Sequence, residues 1–245
     1  MTYLAVLKRS ILTFYDACLD LILPRWCCAC GAKLNSRQDL FCLNCWKQLP
    51  IEEKLMDTDN DTERLFWRGF PIVRGMALLA FEPKGLSGIL IHEIKYNHRK
   101  DLARALGRLM GQQWMERGLL EGIDVIVPVP LHWRRLWSRG YNQSNEIAKG
   151  LSAVSGIPVR SKAIKRRRNN RSQTKMKREN RWGNVTGLFA LVEGKAATSL
   201  AGKHVLLVDD VITTGATLTA LGALITDGVP GVRVSVGGAA RPYFS

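Results

Sequence analysis

The sequence predicts an α/β fold, a mostly parallel sheet covered by helices on both faces, with a small cysteine-bearing module ahead of it. Three observations carry this expectation. From residue 70 onward, short apolar runs rich in Val, Ile and Leu alternate with longer segments of helical period, the pattern of strands joined by crossover helices. These runs are continuous rather than alternating with polar residues, as in strands buried on both faces. All six cysteines, Cys18, Cys27, Cys28, Cys30, Cys42 and Cys45, fall in the first fifth of the chain, which marks off a local unit. At 245 residues, the chain can supply one α/β domain of ordinary size and such an accessory module.

Residues 1–24 predict an amphipathic helix, because Leu4, Leu7, Ile11, Tyr15, Cys18 and Ile22 recur at three- and four-residue steps. Lys8, Arg9, Asp16 and Asp20 interrupt its apolar character, so neither a membrane span nor a secretory signal is expected. Packing on protein is the main reading of this helix and peripheral contact with a membrane surface the other. The cysteine module is expected over 25–50. A linker is expected over 51–69, where Asp57, Asp59 and Asp61 stand among few apolar residues, and one domain over 70–245.

Within 70–245, Ile72 to Phe81 predicts a strand and Leu86 to Glu116 a helix broken near Asn97. Asp124 to Pro130, Leu188 to Val192 and His204 to Val208 are apolar runs, and Gln143 to Val154 is helical. Ala216 to Ile225 is a helix with Leu218, Leu221 and Ile225 on one face and Gly228 as its C-cap; Val232 to Val236 is the last strand. With no longer apolar stretch in the chain, a cytoplasmic location is expected, with the inner face of the cytoplasmic membrane as a variant of it.

The run from Val205 to Val208 delivers two adjacent carboxylates, Asp209 and Asp210, to the C-terminal end of a buried strand, the edge where open α/β sheets bind ligands. Thr213, Thr214, Gly215, Ala216 and Thr217 follow as a small-residue turn opening a helix. Free backbone N–H groups, hydroxyls and the positive end of the helix dipole converge there and suit a phosphate monoester. Paired carboxylates beside a phosphate cradle would repel the ligand unless they met hydroxyls or a cation, and vicinal ribose hydroxyls with Mg²⁺ meet both requirements. Plain helix capping is the bland alternative, but capping does not call for two carboxylates and three threonines. An ATPase would need a G-x-x-x-x-G-K-[ST] loop, and no segment matches it.

Cys27-x-x-Cys30 and Cys42-x-x-Cys45 are separated by eleven residues, a spacing that matches a closed structural Zn²⁺ site of four thiolates. Disulfides or unliganded thiols are the alternative; the former are disfavoured without a secretion signal. Between the strand ending at Pro130 and Tyr141, arginines interleave with aromatics. Arg134, Arg135 and Arg139 can pair with phosphate oxygens, whereas His132 reads as structural. The same interleaving suits single-stranded nucleic acid, with bases stacked on rings. Lys and Arg outnumber Asp and Glu by 36 to 21, and residues 160–181 hold eleven of the basic residues against one acid, Glu179. That surplus points to a polyanion beyond one pyrophosphate, single-stranded DNA first, with Arg166, Arg167, Arg168, Arg171, Lys175, Lys177, Arg178 and Arg181 as its contacts. A solvated basic loop is the alternative.

Val205 to Thr217 resembles the phosphoribosyl-pyrophosphate signature of type I phosphoribosyltransferases. The paired C-x-x-C, Ile94-Lys95-Tyr96, Pro128-Val-Pro130-Leu131 followed by Arg139-Gly140-Tyr141-Asn142-Gln143, and Gln173-Thr174 with Asn184 and Phe189 resemble the ComF/GntX family more narrowly. The resemblance covers nearly the whole chain. It implies a type I phosphoribosyltransferase-like parallel sheet flanked by helices, with an N-terminal zinc-binding module. It also implies a part in competence or in the use of external DNA as a nutrient. By that resemblance, Asp209 and Asp210 are the acidic pair at the reacting sugar, Lys95, Arg139 and Thr213 to Thr217 bind the substrate, and 160–181 is the loop over the ligand. Where base-specific transferases hold the acceptor in a separate hood, this chain carries the cysteine module.

The expected role is therefore DNA uptake or utilisation, with phosphoribosyl pyrophosphate or a related ribose phosphate as ligand and single-stranded DNA and a DNA translocase as partners. An active Mg²⁺-dependent phosphoribosyltransferase releasing pyrophosphate is the alternative. A gluconate-utilisation accessory role, suggested by the family's double name, is the third reading, although a sugar-acid carrier calls for a different fold.

Overall fold

A computed structural model of the chain describes residues 26–34, 41–166, 188–192 and 199–242. The expected helix over 1–24 lies outside the described residues, as do Gln173, Thr174, Asn184 and the basic positions Arg167, Arg168, Arg171, Lys175, Lys177, Arg178 and Arg181.

Helix α1 (Leu43–Lys47) belongs to the cysteine module, and α2 (Asp61–Arg64) precedes β1 (Ile72–Ala80). The expected break near Asn97 separates α3 (Leu86–Tyr96) from α4 (Lys100–Glu116). Then come β2 (Val125–Pro128), α5 (Trp133–Arg139), α6 (Gln143–Ser155), β3 (Ile164–Arg166), β4 (Phe189–Leu191), β5 (His204–Val211), α7 (Ala216–Gly228) and β6 (Arg233–Arg241). The main sheet is parallel throughout, in the order β1-β6-β5-β2.

Successive residues of β5 serve opposite faces. Leu206 and Val208 pack with Leu78, Ile94, Leu106, Trp114 and Leu151, whereas Val205 and Leu207 pack with Phe66, Phe70, Leu218, Leu221 and Ile225. The parallel sheet is therefore covered on both sides, which is why its strands read as unbroken apolar runs. Helices α4 and α6 meet backbone to backbone. A Cβ on Gly107 would lie 2.0 Å from the Ile147 carbonyl oxygen, and one on Gly150 2.1 Å from that of Arg104. Glu146 of α6, 6 % exposed, ties the pair together through Arg104 Nε of α4 at 2.6 Å and also meets Lys149 Nζ, one turn along its own helix, at 2.7 Å.

Three expectations change. The stretch 51–69, read as a linker, is packed. Leu55 and Phe66 are fully buried, and the 50–52 backbone covers the free edge of β1 through Ala80 N–H to Pro50 O and Glu52 N–H to Leu78 O. Its acidic residues mask this because they serve the surface and turns, with Arg64 on Asp59 at 3.1 Å and Asn60 capping α2. The run from Leu188 to Val192 pairs antiparallel with Ile164–Arg166 as a separate hairpin rather than joining the main sheet. Gly228 is the last residue of α7, and Val229 caps it in extended backbone, so no left-handed glycine is needed there.

Candidate functional site

The site forms where β5 ends. Val208 is level with Pro128, the last residue of β2, so Asp209 and Asp210 extend past β2 at the C-terminal edge of the sheet while β5 stays paired with β6 as far as Val211 opposite Ala240. Asp209 Oδ1 accepts from Ser144 Oγ at 2.9 Å and from the Asp210 N–H at 2.9 Å; its other oxygen takes no protein hydrogen bond among the described residues. Asp210 Oδ1 accepts from the Val211 N–H at 2.7 Å, and its Oδ2 meets Lys95 Nζ at 3.3 Å. Burial first, and the Asp210 charge second, push the Asp209 carboxyl up to about 7 against the opposing pull of the Asp210 N–H, Ser144 and Lys95. Two adjacent acids are thus held where ionising both is costly without a ligand to meet them.

Beyond the acids, Val211 to Leu218 and Asp209 line a recess of about 40 Å³, room for a group of phosphate size. Thr213 and Thr214 are exposed, and Gly215 is buried with φ +72°. A Cβ on Gly215 would meet Phe66 Cε1 at 2.9 Å. Glycine is therefore required twice over, by a left-handed turn and by the aromatic floor beneath it. Helix α7 starts at Ala216 with no side-chain cap, so its first N–H groups are available to an anion.

Lys95 and Tyr96 end α3, and both reach the site's rim: Lys95 pairs with Asp210, and Arg139 stacks over the Tyr96 ring at 5.3 Å. Arg139 Nη1 donates to Gln143 Oε1 at 3.2 Å, and its carbonyl meets His98 Nδ1 at 2.9 Å. The Tyr141 hydroxyl donates to the Ile94 carbonyl. The Ile94-Lys95-Tyr96 and Arg139-Gly140-Tyr141 segments, 45 residues apart, are thereby one locked rim. Arg166, expected to face nucleic acid, is half-buried with its guanidinium over Phe189 at 5.3 Å. Burial and then Arg135 pull its pKa down, and Asp209 pulls it up, so it lies within electrostatic reach of both. Sequence reasoning missed Ser144 and Phe66. Ser144 follows the Asn142-Gln143 pair directly, whereas nothing in the acid-rich 51–69 stretch announces Phe66 as a floor.

Cys27, Cys30, Cys42 and Cys45 bring their Sγ atoms within 4.8 Å of one another, with Cys30 and Cys42 at 3.7 Å. Sulfurs about 2.3 Å from a tetrahedral metal stand roughly 3.8 Å apart, so the four thiols fit one ion. Burial pushes the Cys27 thiol up, but N–H groups of Cys42, Cys30 and Ala29 outweigh it and bring it down to about 6. Burial and neighbouring thiols push Cys45 upward, a cost that a bound cation reverses. Cys27, Cys42 and Cys45 belong to the same apolar cluster as Leu78 and Ile94, so the module is packed on the main domain. Among the described residues, no helix is long and apolar enough to cross a membrane.

The phosphoribosyl transferase domain model matches residues 95–236, more than half of the chain. The chain belongs to the phosphoribosyl transferase domain family and, within it, to the ComF/GntX proteins. The DNA utilization protein YhgH of Escherichia coli K12 is 34% identical over 149 residues, covering 59% of this chain and 63% of that protein. Competence protein F of Haemophilus influenzae is 29% identical over 82% of this chain and 78% of its own. Competence protein ComFC of Bacillus subtilis is 35% identical over 38% and 35%. The chain thus spans less than two thirds of the length of the YhgH proteins it matches. Among solved structures, a Bacillus subtilis glutamine phosphoribosylpyrophosphate amidotransferase is 22% identical over 60% of this chain and 30% of its own, with a TM-score of 0.40, too loose a likeness to add to the family match.

Proposed function

We propose that this protein handles DNA during its uptake or use as a nutrient, and that its phosphoribosyltransferase-like domain binds phosphoribosyl pyrophosphate or a related ribose phosphate. The observation that carries the ligand reading is the carboxylate pair at the end of β5 beside a hydroxyl-lined turn with Gly215 at φ +72°. Asp209 and Asp210 would accept from the ribose hydroxyls, and Thr213 to Thr217 with the α7 N–H groups would hold the 5′-phosphate. Arg139, set by Tyr96 and Gln143, would take the pyrophosphate, with Lys95 fixing Asp210 beneath it. Mg²⁺ bound with the ligand would neutralise pyrophosphate charge. The four cysteines would hold Zn²⁺ as a structural ion, their spacing and softness favouring it over harder cations. The DNA reading is supported by the names of the relatives and by the excess of basic residues over 160–181, for which single-stranded DNA is the natural partner. A DNA translocase is the protein partner such a role calls for.

Calorimetry tests the ligand reading directly. Mg²⁺-dependent binding of phosphoribosyl pyrophosphate is expected for the native chain and should be lost when Asp209→Asn and Asp210→Asn are combined; unchanged binding would sink the assignment. A screen for pyrophosphate release across bases, nucleosides and DNA ends then asks whether the bound ligand is turned over.

A further inference from the structure

We propose that the exposed face of α5 is a stacking platform that guides a single nucleic-acid strand along the rim of the ribose-phosphate recess. This deepens the DNA-handling reading, on which it rests, by naming the surface. None of the seven residues of α5 is buried. Trp133 is 49 % exposed, Leu136 43 % and Trp137 89 %, and packing among the described residues does not account for the Trp137 indole.

Cations accompany these rings. Arg134 lies 5.3 Å over the Trp133 ring, and Arg134, Arg135, Arg139 and Arg166 have no carboxylate within ion-pair distance among the described residues. His132 is held below its usual pKa by burial first and then by Arg166, Arg134 and Arg135, which marks a positive field that the protein leaves unneutralised. The topology also puts this helix beside the site. It hangs between Pro128, level with Val208 in the sheet, and α6, whose Ser144 holds Asp209. Arg166 bridges electrostatically from Arg135 to Asp209.

A ligand for such a rim must offer flat faces to indoles and repeated negative charge to guanidiniums, and its sugar phosphates must suit the neighbouring recess. A single strand of nucleic acid has all three. A membrane surface would also accept Trp and Arg, but three apolar side chains on two turns offer little area to hold one.

The test titrates the full-length, zinc-replete protein into a fluorescently labelled oligothymidylate of roughly 15 nucleotides, a length near one such site. Trp137→Ala should weaken binding about five- to a hundredfold, Trp133→Ala with Trp137→Ala further still, and Trp137→Phe should recover most of the loss. Arg134→Ala with Arg135→Ala should flatten the slope of log affinity against log salt by roughly 0.7 per arginine. Heparin, a polyanion without bases, should bind the Trp137→Ala and native proteins alike. Equal oligothymidylate affinity in the native and tryptophan variants would overturn the platform and leave the DNA reading standing. Failure of the native protein to bind the oligomer would remove both, with ribose-phosphate binding unaffected. Indole emission that shifts with anionic phosphatidylglycerol vesicles but not with the oligomer would reassign the face to a membrane.

Discussion

The four-cysteine cluster and the carboxylate pair pose the same electrostatic problem and meet it in opposite ways. Each gathers acidic groups closely enough to repel: the sulfurs lie within 4.8 Å of one another, and Asp209 and Asp210 are chain neighbours, with Asp209 held up to about 7. The cysteines come from 19 consecutive residues, and their cluster has a geometry that a metal closes from all sides. The carboxylates are held from afar, by Lys95 on one flank and Ser144 on the other, and one Asp209 oxygen takes no hydrogen bond among the described residues.

The largest expected effect falls on the closed site. Cys42→Ser, or chelation, should remove the metal and expose the apolar cluster that Cys42 shares with Leu78, lowering stability by roughly 5 kcal/mol or more and the melting temperature by about 10 °C or more. Zinc stoichiometry near one before, and near zero after, checks it; a metal-free protein that melts unchanged would break the contrast. Next comes Gly215→Ala, which forces a side chain into a left-handed turn and against Phe66 at 2.9 Å. About 1–2 kcal/mol of stability should go with the turn, while ribose-phosphate binding in calorimetry should be lost outright.

Asp209 ties the stability of the open site to pH. Because the folded-state pKa of Asp209 is raised, its stabilising contribution is present at low pH and disappears as pH rises through about 7. Ligand-free protein should therefore gain stability from pH 8 to pH 6 in denaturant titrations, and Asp209→Asn should shrink that gain. An Asp209→Asn protein with an unaltered pH profile would show that the carboxyl is not strained. The smallest effect belongs to Ser144→Ala, which removes one hydrogen bond to Asp209, worth about 1 kcal/mol, and should weaken ligand affinity severalfold without moving the zinc content.

How much of this is legible in the chain depends on the distance over which each feature is assembled. The break between Tyr96 and Lys100, the helix from Gln143 and the strand carrying Asp209 follow from periodicity, because each element buries one stripe or two faces of its own sequence. The 51–69 stretch defeats that reasoning. Its burial depends on Phe66 finding Gly215 and on residues 50–52 finding the edge of β1, and neither partner is near in sequence. Helix α5 is missed for a related reason: with no buried residue, it has no apolar stripe facing a core to betray it. Arg166 reads as one member of a basic run until the hairpin turns it over Phe189.

By itself, the sequence determined the layered α/β plan, the metal-ligand spacing of the cysteines and the acidic pair followed by a small-residue turn at the end of β5, because alternation, C-x-x-C spacing and that turn are local constraints. Only the tertiary structure decided that Lys95 and Ser144 grip the two acids, that Phe66 floors the turn at Gly215 and that Trp137 is left exposed. Those are contacts between elements far apart in the chain. Their energies depend on how parallel strands bring distant loops to one edge of a sheet, which no stretch of sequence specifies alone.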